Sequence, residues 1–221
     1  MITANVYSVG ELAPETKQSI HDGFDLVGQY LGDISVKNIA RVTVPVNSAG
    51  IVELSRVGYA NFDSAIDLHL FAGPLLTGHG DTSGIAVKGK GVAWLSTRER
   101  YHADDTRGLV AHEVAHAFGY VLDDSPQAMR FGGSHCGAPT CIMYPEFTEK
   151  PVGIIRKLLT PLYKTPYAPE LSDDFCTPCQ ADMRDTFDEH LEKMKATRAS
   201  TGVVLTREDL KNMPQPGAGK L

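Results

Sequence analysis

The stretch His112-Glu113-Val114-Ala115-His116 sets two imidazoles four residues apart with a carboxylate between them. On an α-helix this spacing puts both rings on one face, one turn apart, where both can reach a single metal ion. Imidazole nitrogen suits zinc, and a catalytic zinc site keeps a position open for water, whose pKa the ion lowers to about 7. Glu113 then lies beside the open position, placed to take a proton from that water. That is the machinery of metal-assisted peptide hydrolysis. The alternative is a buried helix that carries two histidines by chance, but His and Glu inside an apolar helix are costly unless paired or bound to metal.

A second group of candidate ligands lies downstream. All four cysteines fall between positions 136 and 179, as Cys136-x4-Cys141 and Cys176-Thr177-Pro178-Cys179. Two disulfides are one reading of four cysteines. Paired short spacings with a CxxC half suit a tetrahedral four-cysteine zinc site better, and a reducing compartment disfavours disulfides. The first pair sits in His135-Cys136-Gly137-Ala138-Pro139-Thr140-Cys141-Ile142-Met143-Tyr144-Pro145, which adds a third possible zinc ligand, His135, and a methionine.

These groups need a scaffold, and the chain supplies one in order. Residues 5–9 read as a strand. Pro14 suits the first turn of a helix whose apolar residues Ile20, Phe24, Val27 and Leu31 form one stripe, with Gly32 as its stop. Residues 39–46 and 67–72 read as further strands, with a less defined segment, 51–65, between them. His21 and His69 read as surface and polar-face residues, and nothing in the spacing of His79 argues for a ligand. Residues 84–88 and 92–96 are strands around a tight Gly89-Lys90-Gly91 turn. Lys88 at the end of the first suits an exposed edge, which could hold an extended peptide by strand addition or could be an ordinary hairpin.

Asp104-Asp105-Thr106 offers N-cap candidates for a helix over 107–118, apolar on all sides and therefore buried. Residues 124–134 form a polar, Pro- and Gly-bearing loop. The pairs Ile154-Ile155 and Leu158-Leu159 suggest a helical turn, and Met183, Phe187, Leu191 and Met194 mark a last helix with His190 on its solvated side.

Composition narrows the function classes. At 221 residues and 42% hydrophobic the chain can build one cored domain, expected over 1–201 as subdomains 1–119 and 120–201, with 202–221 a flexible tail. A net charge of −6 with scattered basic residues leaves no footprint for nucleic acid or an anionic membrane. No apolar run is long enough to span a bilayer and no signal-peptide pattern opens the chain, so a cytoplasmic protein, monomeric for preference, is expected.

The residues resemble a known family. The metzincin zinc peptidases carry HExxHxxGxxH followed by a Met-turn, and their archaemetzincin branch continues as HC-x4-C-x-M with a later CxxC. Here the match is HEVAHAFG over 112–119, HC-GAPT-C-I-M over 135–143 and CTPC over 176–179, and the resemblance covers residues 5 to about 197. It implies an α/β (α+β) fold: a twisted, mostly parallel sheet with an edge strand, a long backing helix and a zinc-binding helix, then a C-terminal subdomain with a four-cysteine zinc site and a terminal helix.

Residue by residue, the resemblance implies that His112 and His116 bind a catalytic zinc, that Glu113 is the general base, that Gly119 permits the turn and that Met143 forms an apolar floor beneath the metal. Cys136, Cys141, Cys176 and Cys179 would hold a second, structural zinc, giving two per chain. Tyr144-Pro145 is similar to the Met-Tyr-Pro of the matrixin branch, where this segment helps line the pocket for the residue after the scissile bond; Tyr144 or a mobile loop is, separately, a candidate to steady the oxyanion. The family's third histidine falls at Leu122 in this chain, whereas His135 comes with fifteen residues between it and Gly119. His135 is favoured as third ligand because it is contiguous with the HC-x4-C-x-M match. Asp123 is the alternative, and a ligand such as Glu146 or Glu149 is a third reading. The expected function is zinc-dependent hydrolysis of a peptide or protein; the alternative is a catalytically weak, zinc-stabilised peptide-binding module.

Overall fold

The computed structural model describes residues 1–42, 66–73, 84–96, 103–128, 134–138, 140–144 and 174–201. Strand β1 (Ile2–Val9), helix α1 (Pro14–Leu31) and strand β2 (Ile34–Val42) open the chain as a strand-helix-strand unit with the two strands parallel. Pro14 lies in the first turn of α1, where an N–H would have no partner in any case. The helix stops at Gly32, whose N–H bonds the Gly28 carbonyl at 2.9 Å. Its expected stripe of Ile20, Phe24, Val27 and Leu31 is buried.

Strand β3 (Leu68–Gly73) pairs parallel with β1 on the side away from β2, and β5 (Val92–Ser96) pairs parallel with β3. Strand β4 (Gly84–Val87) is antiparallel to β5, so the sheet runs β2-β1-β3-β5-β4 with β4 on its edge. The mostly parallel sheet of an α/β fold is therefore present, with the lysine-terminated strand at the edge.

Two differences from the sequence expectations have physical causes. Strand β2 begins at Ile34 rather than at 39, because its pairing with β1 starts at Ile2↔Ile34, before any alternation is visible in the sequence. His69 is completely buried, not on a polar face: parallel strands are covered on both sides, so all of β3 is buried. His69 Nδ1 meets Tyr7 Oη at 3.2 Å. Beside this pair Tyr7, Phe71 and Trp94 stack at matching registers of β1, β3 and β5.

Helix α2 (Ala103–Ala117) carries the HExxH motif and lies against α1 and the other face of the sheet. It begins four residues before the expected start, so Asp104, Asp105 and Thr106 lie inside it rather than capping it. The two helices touch at Gly23, where an added Cβ would stand 2.6 Å from Val110 Cβ. Helix α3 (Thr177–Thr201) starts within the CxxC, with Pro178 in its first turn, and sets Phe187 edge-on to Phe118. One apolar core holds residues from Ile2 through Val110 and Ile142 to Met194.

Residues 43–46, the segment 51–65, His79, Pro145, Glu146, Glu149, the 154–159 patch and the tail from 202 lie outside the described residues. Among the described residues no helix is long and apolar enough to cross a membrane.

Candidate metal centres

Helix α2 is buried over nearly its whole second half, from Leu109 to Phe118. His112 is therefore buried in the chain's interior, and His116 is half-buried beside it. His112 Nδ1 bonds the Ile142 carbonyl at 2.7 Å, and His116 Nδ1 bonds the Tyr120 carbonyl at 2.8 Å. A carbonyl only accepts, so each Nδ1 carries the proton and each Nε2 of the neutral ring presents a lone pair. Burial reinforces the neutral form, holding His112 down at about 4 and His116 well below the ordinary histidine value.

The Nε2 atoms of His112 and His116 are 3.1 Å apart, and His135 Nε2 is 3.2 Å from that of His116. The Nε2 lone pairs of His112 and His116 cannot hydrogen-bond to each other, and the spacing suits a cation between them. Zinc–nitrogen bonds of the usual length at tetrahedral angles set ligand nitrogens about 3.3 Å apart, close to both spacings.

The route from helix to third imidazole is short in space. Gly119, with φ +98°, ends α2, a backbone angle that side chains rarely allow. Val121 N–H then bonds the Ser134 carbonyl at 3.0 Å, so the chain leaves at Val121 and is back beside it at Ser134, one residue before His135. Cys136 pairs with Ala128 in an isolated antiparallel bridge and donates to the Met143 carbonyl at 2.8 Å. The structure thus brings His112, His116 and His135 into one group. Asp123 is not in it: its exposed carboxylate is paired with Lys88 Nζ, at the end of β4. Met143 is fully buried, and Tyr144 is half-buried with its N–H on the Cys141 carbonyl at 2.9 Å.

Glu113 is buried, and burial pushes its carboxyl up to about 8. The carboxyl lies directly against Gly84, the first residue of β4: a Cβ there would stand 2.5 Å from Glu113 Cγ and 2.6 Å from Oε1. The β4–β5 turn fastens the same helix from its end, with Gly89 N–H on the His116 carbonyl at 3.2 Å and Gly91 N–H on that of Ala117 at 2.8 Å. The His116 carbonyl also accepts from Gly119 N–H at 2.9 Å, so the turn shares in capping the helix end.

The cysteines form a second group. Cys136 Sγ and Cys176 Sγ are 3.6 Å apart, and Cys141 Sγ and Cys179 Sγ are 3.7 Å apart. A disulfide needs about 2.05 Å, and all four are free thiols. Four thiolates around zinc sit about 3.8 Å from one another, close to what is found. Cys176 N–H points at Cys141 Sγ at 3.3 Å and Ala138 N–H at Cys136 Sγ at 3.4 Å, donors suited to thiolate charge. Without an ion the set shares its protons unevenly: the hydrogen bond between Cys141 and Cys179 holds Cys141 down at about 5, while burial pushes Cys136 up to about 12.

Sequence reasoning missed Gly84 and His190. His190 packs on the Tyr120 ring, centroids 5.2 Å apart, and its Nδ1 would lie 3.1 Å from a Cβ on Gly119. Positions 183, 187, 190 and 194 fall at i, i+4, i+7 and i+11, so the signal was the helical stripe itself. Nothing in residue type marks Gly84.

No family model and no curated relative matches the chain. Solved structures do. Archaemetzincin from Methanopyrus kandleri is similar with a TM-score of 0.56 and 17% identity over 86% of this chain and 96% of that one. Archaemetzincin from Archaeoglobus fulgidus, complexed with malonate, is similar with a TM-score of 0.50 and 15% identity over 82% and 99%. The chain has an archaemetzincin-like fold.

Proposed function

We propose that the protein is a zinc-dependent metallopeptidase, with His112, His116 and His135 holding a catalytic zinc and Glu113 as general base. The observation that carries this reading is the convergence of three imidazole Nε2 atoms, two of them on the helix that also carries a buried carboxyl and fixed as lone-pair donors by backbone carbonyls. Cys136, Cys141, Cys176 and Cys179 hold a second, structural zinc. The substrate is a peptide or protein, as the resemblance of the HExxH and Met-turn residues to the metzincin peptidases implies.

Zinc, when bound, supplies Lewis-acid polarisation of the scissile carbonyl and acidifies a water. The chain's own groups do the rest. Ile142 and Tyr120 carbonyls fix two rings in the tautomer that ligates. Burial alone keeps Glu113 protonated near neutral pH, and a cation close by favours the carboxylate that a general base needs. Glu113 accepts the proton of the attacking water at a carboxylate oxygen and returns it to the departing amine. Gly84 leaves room for the carboxyl at the foot of the edge strand. Met143 closes the site from the core side, and Tyr144, beside it, is the candidate to steady the oxyanion.

Glu113→Gln tests this. The variant is expected to bind zinc as the parent does and to lose cleavage of a broad peptide library, with the parent sensitive to a hydroxamate-type chelator. Cleavage by the Gln variant at the parent rate would remove Glu113 from the mechanism.

A further inference from the structure

Helix α3 begins at the cysteines and reaches the histidines. Cys176 precedes its first residue and Cys179 lies in its first turn. Further along, Asp182 accepts hydrogen bonds from Ser125 Oγ and, at 2.6 Å, from Gln127 Nε2. The Met183 carbonyl accepts from Tyr120 Oη at 3.4 Å, and Thr186 Oγ1 lies 3.3 Å from Tyr120 Oη, hydrogen-bonded to it. One turn on, His190 lies on the Tyr120 ring and against Gly119, and its ring donates to the Phe118 carbonyl. The helix therefore grips residues 118–120, and the Tyr120 carbonyl is the group that orients His116.

The other two imidazoles have shorter links. His135 is bonded to Cys136. Ile142, whose carbonyl orients His112, follows Cys141, and its own N–H bonds the Asp174 carbonyl at 3.1 Å, two residues before Cys176. Each of the three rings is thus held next to a cysteine in sequence or by the helix that carries Cys179.

We propose that the four-cysteine cluster sets the geometry of the three-histidine cluster, and that His190 is the positioning residue through which α3 does so at His116. This rests on reading both clusters as metal sites. Metal on the cysteines ties the 136–142 segment to the start of α3, and α3 in turn presses the 118–120 turn into the position that aims the Tyr120 carbonyl. His190 touches neither cluster's donor atoms, and its substitution leaves all seven proposed ligands in place.

The test uses the full chain loaded with cobalt(II), because thiolate-to-cobalt charge-transfer absorption reports the cysteine cluster separately from cobalt on imidazoles. Affinity is read by competition with a chelator. His190→Ala is expected to weaken the histidine cluster by about tenfold or more, the size of effect found for groups that orient metal ligands. The cysteine cluster should titrate as in the parent, and His190→Gln, which keeps an N–H for the Phe118 carbonyl, should recover most of the loss. Cys176→Ser should remove the charge-transfer signature and weaken the histidine cluster in the same protein, with helix content unchanged by circular dichroism; if that variant does not fold, the His190 pair decides. Unchanged histidine-cluster affinity in His190→Ala, or equal loss at both clusters, overturns the proposal. The readout is metal affinity, so a chain that binds cobalt as expected but cleaves no peptide refutes the peptidase reading and leaves this one standing.

Discussion

Gly84→Ala is the substitution that separates the carboxyl from the metal ligands. The added methyl would sit 2.5 Å from Glu113 Cγ, 2.6 Å from Oε1 and 2.7 Å from Cδ. Ordinary carbon contacts lie at about 3.5–4.0 Å, so either the carboxyl retreats by about 1 Å or the edge strand moves by that much. Gly84 is not among the glycines with positive φ, so the backbone accepts alanine and the nearest conflict is with Glu113. Overpacking of this kind costs about 1–3 kcal/mol of stability. A general base displaced by about 1 Å costs on the order of a hundredfold in rate. Glu113 is outside the group of converging donors, so zinc content should not change. The assay is peptide turnover set beside zinc per chain, measured on the same preparations. Turnover within threefold of the parent would refute the packing argument, and loss of zinc in step with turnover would refute the separation of base from ligands.

Other outcomes follow from the same geometry. His135→Ala should drop the metal content from two zinc ions per chain to one, by elemental analysis. Asp123→Asn should keep both, because its carboxylate holds exposed Lys88; the lost ion pair should change the unfolding free energy by no more than about 1 kcal/mol in a urea titration. In chelator-stripped protein, His112 and His116 stay neutral below the unfolded value of 6.5, Glu113 stays protonated up to about 8, and Cys141 stays deprotonated down to about 5 against an unfolded value of 9.0. Between pH 8 and 6.5 the proton that Glu113 keeps offsets the one that Cys141 has lost; between 6.5 and 5 the folded state holds about two protons fewer than the unfolded chain. Stability should therefore be nearly level from pH 8 to 6.5 and fall by roughly 2.7 kcal/mol per pH unit below that. Stability that stays level or rises from pH 6.5 to 5, followed by denaturant unfolding, would contradict those assignments.

Residue type and spacing made the donors legible. His112, His116, His135 and the four cysteines could be picked out because few other roles explain imidazoles in an apolar helix or two short-spaced cysteine pairs. The backing helix was legible because its stripe obeys one period, and the edge strand because a lysine ends it. What stayed hidden depends on contacts between segments remote in sequence. The early start of β2 is set by its partner strand, and the burial of His69 by layers on both sides of the sheet. The carbonyls of Tyr120 and Ile142 have no sequence signature, since every residue has one. Gly84 reads as any other glycine until the helix lies across it. The family's spacing put a ligand at Leu122, and only the return of the chain from Val121 to Ser134 explains how thirteen additional residues leave the donor group intact.

The cap that the β4–β5 turn places on the end of α2 has a consequence for how this protein tolerates change. Both contacts run from backbone N–H to backbone carbonyl, Gly89 to His116 and Gly91 to Ala117. Side-chain identity at Lys90 is immaterial to them, and length is not. One residue inserted in that turn would put the two amides out of step with the two carbonyls, so position 90 can drift in composition over evolutionary time while the number of residues in the turn is held fixed by the helix that follows it, and Gly89 and Gly91 by their positive φ.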